Sequence, residues 1–175
     1  MSPKQQNNLS DEVMRRLKHY FESETEHRPS EDHYEALNDV SRTLCGMAEG
    51  IVIPEIYLSS LDPGIGKTSA VRAFIETLYN TPDYKSVGVI ICVGRLDEIK
   101  GIIERLSIPR ESISVLTSDD ETNALGRTNT DDAQFLFTTQ QRLNIQLDGK
   151  SFELDRQFHF QGQPRAVRIW DETFL

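Results

Sequence analysis

Two short clusters in this sequence have the residue types and spacing for phosphate and metal chemistry. The first is "LDPGIGKTS", residues 61–69. Glycines at 64 and 66 allow backbone N–H groups to turn inward around an anion. A helix starting near Lys67 adds the positive end of its dipole to the same place. Lys67 can then reach the outer phosphates of a nucleotide, and the Thr68 hydroxyl can ligate Mg²⁺. Asp62, Pro63, Ile65 and Ser69 complete the stretch, with Pro63 stiffening the approach to the turn. The pattern G-x-x-x-x-G-K-[ST] is met over its second half, because the first glycine position holds Leu61. The second cluster is "AVRIWDETF", where an apolar run ends in Asp171 and Glu172. An aspartate so placed can hold Mg²⁺ through water, and a glutamate can orient and deprotonate an attacking water.

Such residues act only if regular elements hold them in place. From Ile51 onward the sequence alternates β-rich runs with amphipathic stretches. The runs are "IYLSSL" (56–61), "VGVIICV" (87–93), "SISVLTS" (112–118), "QFLFTT" (134–139) and "RAVRIWDE" (165–172). Between the first three lie "KTSAVRAFIETLYN" and "RLDEIKGIIERL". Near-continuous apolar strands separated by helices predict an α/β domain whose parallel sheet is covered on both faces. Trp170 reads as a core residue of the last strand. Residues 119–133 read as a polar loop, and 151–162 as a hairpin that carries His159.

Ahead of this body, residues 1–50 predict a two-helix extension. Ser10 and Ser30 are the expected N-caps, and Gly46 and Gly50 the expected stops. Val13, Leu17 and Tyr20 form one apolar stripe; Tyr34, Leu37, Val40 and Leu44 form another.

With 175 residues the chain can bury a core without disulfide staples. Its 37% hydrophobic and 27% charged content is that of an ordinary globular protein. A net charge of -9 and a pI near 4.9 argue against a protein that coats nucleic acid indiscriminately, though a local basic groove remains open. The longest apolar run, "VIICV", is far too short to span a membrane, and the N-terminus lacks the apolar stretch of a signal peptide. Cys45 and Cys92, each inside an apolar segment, are expected as buried free thiols in a cytoplasmic protein.

The order of motifs resembles the first RecA-like lobe of superfamily 2 (DExD/H-box) helicases and translocases, which are P-loop NTPases. "DPGIGKT" looks like their motif I and "WDETF" like motif II; "ICVGRLDEI" and "FTTQQRL" are similar to motifs Ia and Ib, in the right order between them. The likeness covers roughly residues 51–175. It implies a RecA-like parallel sheet flanked by helices, ATP and Mg²⁺ as ligands, Lys67 and Glu172 in catalysis, and Thr68 and Asp171 at the metal. It further implies that Arg95, Thr139 and Arg142 contact the backbone of a single nucleic-acid strand, since guanidinium groups pair with phosphate and a hydroxyl can donate to it. No upstream glutamine motif for adenine is present, so ATP is implied by the family alone. The family's arginine finger sits on a second lobe. This chain by itself is therefore expected to bind nucleotide, hydrolyse it slowly if at all, and unwind nothing.

Two other readings stand beside this one. The chain could be another P-loop ATPase or a small-molecule kinase, although kinases often lack an Asp-Glu pair. It could also be a non-catalytic nucleotide-sensing or interaction module, with its N-terminal helices recruiting a protein partner. His19, His27 and His33 lack metal-ligand spacing and read as surface residues. The acidic groups at 119–121 and 131–132 read as solvated loop.

Overall fold

A computed structural model describes residues 8–53, 55, 57, 59 and 64–170. Leu61, Asp62 and Pro63, most of the expected strand 56–61, and Asp171 and Glu172 lie outside the described residues. The chain divides into two compact units, Met1–Asn80 and Thr81–Leu175, whereas the sequence suggested a boundary at 50/51.

The first unit is built on three helices, α1 (Leu9–Glu24), α2 (Glu31–Glu49) and α3 (Lys67–Asn80). The cap of α1 is Asn8, whose side chain accepts the Ser10 N–H; Ser10 itself is buried in the first turn, which corrects the expectation that it caps. Asp11 and Glu12 follow at the positive end of the helix dipole. Leu9, Val13, Leu17, Tyr20 and Phe21 then line one buried face at helical spacing. Ser30 caps α2 as expected, accepting the His33 N–H. The helix ends at Gly50 in the left-handed conformation, with its N–H returned to Gly46 and Met47. Gly46 does not end it. That residue is buried within the helix against Val52, where a side chain would collide. The stripe of α2 is Leu37, Ser41, Leu44 and Cys45, turned slightly from the one expected. Both α1 and α2 pack on α3 and on each other. Ala70, Val71, Ala73, Phe74, Ile75 and Leu78 of α3 are all buried.

In the second unit, strands β1 (Val89–Val93), β2 (Ile113–Leu116), β3 (Phe135–Thr139) and β6 (Val167–Trp170) form an all-parallel sheet in the order β2-β3-β1-β6. Helix α4 (Leu96–Arg105) links β1 to β2, and α6 (Gln140–Leu147) follows β3. These two crossovers run in opposite directions along the sheet, so right-handed connections put their helices on opposite faces. On the α6 face, Ile90, Cys92, Leu136, Leu143 and Phe158 form a core, bordered by Leu116, Leu147 and Phe152. The expected loop 119–133 contains a single helical turn, α5 (Asp120–Asn123), capped by Asp119. The expected hairpin is shorter than its sequence region: β4 (His159–Phe160) pairs antiparallel with β5 (Gln163–Pro164), and His159 lies within it.

Strand β6 alternates buried and exposed residues, and Trp170 is 47% exposed rather than in the core. Among the described residues β6 pairs on one side only, with β1, so period 2 replaces the all-buried pattern of β1 and β3. Its exposed face is partly covered by Phe152, over which the Arg168 guanidinium stacks at 4.0 Å while bonding Glu153 at 2.8 Å.

Cys45 and Cys92 are buried free thiols, as expected. Burial pushes each up to about 12 from an ordinary value near 9. Raised thiol values mean that the associated stability is complete below pH 9 and is lost as pH climbs from 9 toward 12. A thiol reagent at pH 8 should therefore label neither cysteine in the native protein and both in denaturant. Alkaline unfolding above pH 9 should become shallower in Cys92→Ala. Rapid native labelling would contradict the burial. Among the described residues no helix is long and apolar enough to cross a membrane.

Candidate phosphate-binding site

Gly64 and Gly66 both adopt positive φ, 82° and 102°, immediately before α3 begins at Lys67. Only glycine takes such angles without strain, so the two glycines are the chemical reason the chain can make this turn. The first full helical bond of α3 runs from the Ala70 N–H to the Gly66 carbonyl at 2.9 Å. Gly66 therefore joins the turn to the helix, whose dipole favours an anion at this end. Lys67 and Ser69 are half-buried, and Thr68 is exposed.

The turn is supported by the two N-terminal helices. The His33 imidazole, in the first turn of α2, bonds the Ile65 carbonyl through Nε2 at 2.5 Å. The buried Phe21 ring of α1 lies against Gly66; a β-carbon there would stand 2.6 Å from the ring. Phe21 in turn meets Tyr34, His27 and His33 edge-on, at 5.9, 6.0 and 6.2 Å between centroids. Gly66→Ala would force both a strained φ and a collision with Phe21. It should cost roughly 1–3 kcal/mol, read as a lowered denaturation midpoint. An unchanged midpoint would show that the turn can relax freely.

Farther along α3, Glu76 fixes the helix against α1. It is 1% exposed and accepts from the Tyr20 hydroxyl at 2.5 Å, Arg16 Nη1 at 3.1 Å and Arg72 Nε at 3.3 Å. Arg72 also binds Glu24 at 2.7 Å and stacks over the Tyr20 ring at 4.0 Å. Burial, followed by the bond to Glu76, raises the Tyr20 hydroxyl well above its ordinary value, so it remains a donor. A buried carboxylate is tolerated only when so many donors surround it. This arrangement sets the rotation of α3, and hence where Lys67 and Thr68 stand.

In the second unit, the residues expected at nucleic acid gather at one edge. Thr139 ends β3 and is paired in register with Val93, two residues before Arg95. The C-terminal edge of adjacent parallel strands is where α/β sheets bind ligands. Thr139 caps α6 by accepting the Arg142 N–H at 3.2 Å, and Arg142 Nε is buried without a hydrogen-bond partner among the described residues. Arg95 precedes α4 and is largely exposed, pairing with Glu98 at 3.4 Å. Trp170 of β6 sits opposite Cys92 at the same edge, one residue before Asp171. A shallow depression of about 380 Å³ bordered by Arg110, Glu111 and Arg127 lies beside the start of β2, at the other end of that strand.

The residues present fit a phosphate group: a glycine turn in the left-handed region, a helix start and a lysine at its first position. For a metal the described residues supply Thr68 alone, and they contain no group of three or more His, Cys, Asp or Glu that could hold an ion. Sequence reasoning missed His33, Phe21 and Glu76 as supports of the turn. Comparison with protein-family models, curated proteins and solved structures finds no match to the chain.

Proposed function

We propose that the chain is a nucleotide-binding lobe of RecA-like fold from an ATP-dependent nucleic-acid helicase or translocase. The observation that carries this reading is the pair of left-handed glycines, 64 and 66, delivering the chain into a helix whose first residues are Lys67 and Thr68. A turn of this kind has a reason to exist when its N–H groups must face an anion. The parallel sheet adds support, since Arg95 and Thr139 stand at the ligand-binding edge of neighbouring strands.

In this reading Mg-ATP supplies the phosphoanhydride whose hydrolysis drives movement. The turn and Lys67 hold its phosphates, with Asp62, Pro63, Ile65 and Ser69 as further cofactor-binding residues. Thr68 and Asp171 serve the metal, and Glu172 orients the water. Arg95, Thr139 and Arg142 hold the sugar-phosphate backbone of one strand.

The test is binding of a fluorescent single-stranded oligonucleotide across a salt series, with and without Mg-ATP. Affinity should depend on the nucleotide. Replacing Arg95 and Arg142 together should weaken binding whatever the base sequence, and lower the salt slope by about 2. Binding indifferent to both changes, or phosphoryl transfer to a small acceptor instead, would contradict the reading.

A further inference from the structure

We infer that His33 is a positioning residue for the phosphate turn, setting which way the Ile65–Gly66 peptide faces. The inference rests on the reading of residues 64–68 as a phosphate site.

The peptide between Ile65 and Gly66 turns about the Ile65 ψ and the Gly66 φ, and Gly66 is in the left-handed region at 102°. Gly66 has no β-carbon to resist rotation on its side, so this peptide is less constrained than one between two substituted residues. The His33 bond at 2.5 Å supplies a preference between its two faces by holding the Ile65 carbonyl toward α2. In a planar trans peptide the carbonyl and the following N–H point in opposite directions, and no cis peptide occurs among the described residues. Pinning the Ile65 carbonyl therefore turns the Gly66 N–H away from α2. That N–H belongs to the last residue before α3, the position where a phosphate oxygen would receive it. A flipped peptide would present a carbonyl there, which repels an anion.

His33 is itself held firmly. Its backbone N–H is bonded to the Ser30 side chain, and its ring packs beside His27 at 5.5 Å between centroids and edge-on to Phe21. Phe21 lies against Gly66 from the same pair of helices, where a β-carbon would meet its ring. The α1–α2 pair thus acts on the turn directly, through one hydrogen bond and one ring contact. Arg28 secures the link between the two helices by bonding the carbonyls of Phe21 and Thr25, each at 2.7 Å.

The experiment is a calorimetric titration of Mg-ADP into the wild-type chain, Lys67→Ala, His33→Ala and His33→Gln. The Gly66 amide resonance is followed in parallel by proton–nitrogen NMR. Gln carries an N–H near the position of imidazole Nε2, so it restores the donor. Wild type should bind and Lys67→Ala should bind much more weakly. His33→Ala should lose about tenfold in affinity, what a net hydrogen bond of about 1.4 kcal/mol is worth. His33→Gln should recover most of that loss. Addition of Mg-ADP should move the Gly66 amide in wild type and His33→Gln, and move it less in His33→Ala.

Wild-type affinity in His33→Ala, with Lys67→Ala defective, would overturn the inference and leave the phosphate site standing. A His33→Gln protein as weak as His33→Ala would also overturn it, because the hydrogen bond would then not be what matters. No binding by wild type, or equal binding by Lys67→Ala, would remove the phosphate site and the inference together.

Discussion

Lys67→Ala is expected to weaken Mg-ATP binding by about 10- to 100-fold, with the unfolding free energy of the free protein changed by less than about 1 kcal/mol. A hydrogen bond to a charged group contributes roughly 1.5–3 kcal/mol, which is the affinity range stated. The fold should survive because α3 is held elsewhere: Phe74, Ile75 and Leu78 are buried along its length, and Glu76 is bonded to Arg16 and Tyr20 of α1. Titration calorimetry separates the two effects. Unchanged affinity would mean that Lys67 faces no phosphate and that the glycine turn serves only to enter the helix. A large loss of stability would mean that Lys67 is a structural residue first.

The second large effect is expected at the opposite end of the sheet from Thr139. Arg165 is 1% exposed, and Asp131 is the one charge that pulls on it noticeably among the described residues. Its guanidinium donates to four backbone carbonyls: Val89 at 3.2 Å, Gln134 at 2.6 Å, Thr130 at 2.7 Å and Ala133 at 2.8 Å. Burial pushes it down to about 9, against the pull of Asp131, so it keeps its charge at neutral pH. These bonds tie the segment entering β6 to the starts of β1 and β3, and so fix the register of the strand that leads to Asp171. Arg165→Ala would leave several buried carbonyls short of donors and open a cavity. The expected cost is about 3–5 kcal/mol, on the order of 10 °C in midpoint for a chain this size. Arg165→Lys should recover only part of it, because an ammonium cannot span four acceptors as a planar fork does. A loss below about 1 kcal/mol in the alanine variant would show that the carbonyls find other donors.

The regular elements were largely legible from local pattern. The stripe of Val13, Leu17 and Tyr20 has helical spacing, and "VIICV" and "FLFTT" are continuous apolar runs of the kind that central parallel strands require. What was not legible depends on which distant segments meet. Ser10 and Asn8 are both good caps two residues apart, and only the packing of the first turn decides between them. Glu76 carries no sequence signal of its own; its burial follows from donors sixty and fifty-six positions away, Arg16 and Tyr20. His33 reads as a surface residue because its contact is with a backbone carbonyl thirty-two positions along the chain. Arg165 reads as a polar residue at a strand start, since its acceptors are carbonyls, which carry no sequence signal. Trp170 is exposed where the apolar run suggests core, because a run alone does not say which strands flank it; among the described residues β6 pairs with β1 only. At the candidate site, the glycine turn and helix start were legible from "GIGKT", whereas the residues that hold them were not.

The most direct measurement of the phosphate site is the thermal shift of the wild-type chain with Mg-ATP and with Mg-ADP. Ligand at about 100 times its Kd stabilises the folded state by roughly 2.7 kcal/mol, which is on the order of 5–10 °C here. A shift of that size with both nucleotides, and a much smaller one with adenosine, is the predicted result. No shift with either nucleotide at millimolar concentration would contradict the account.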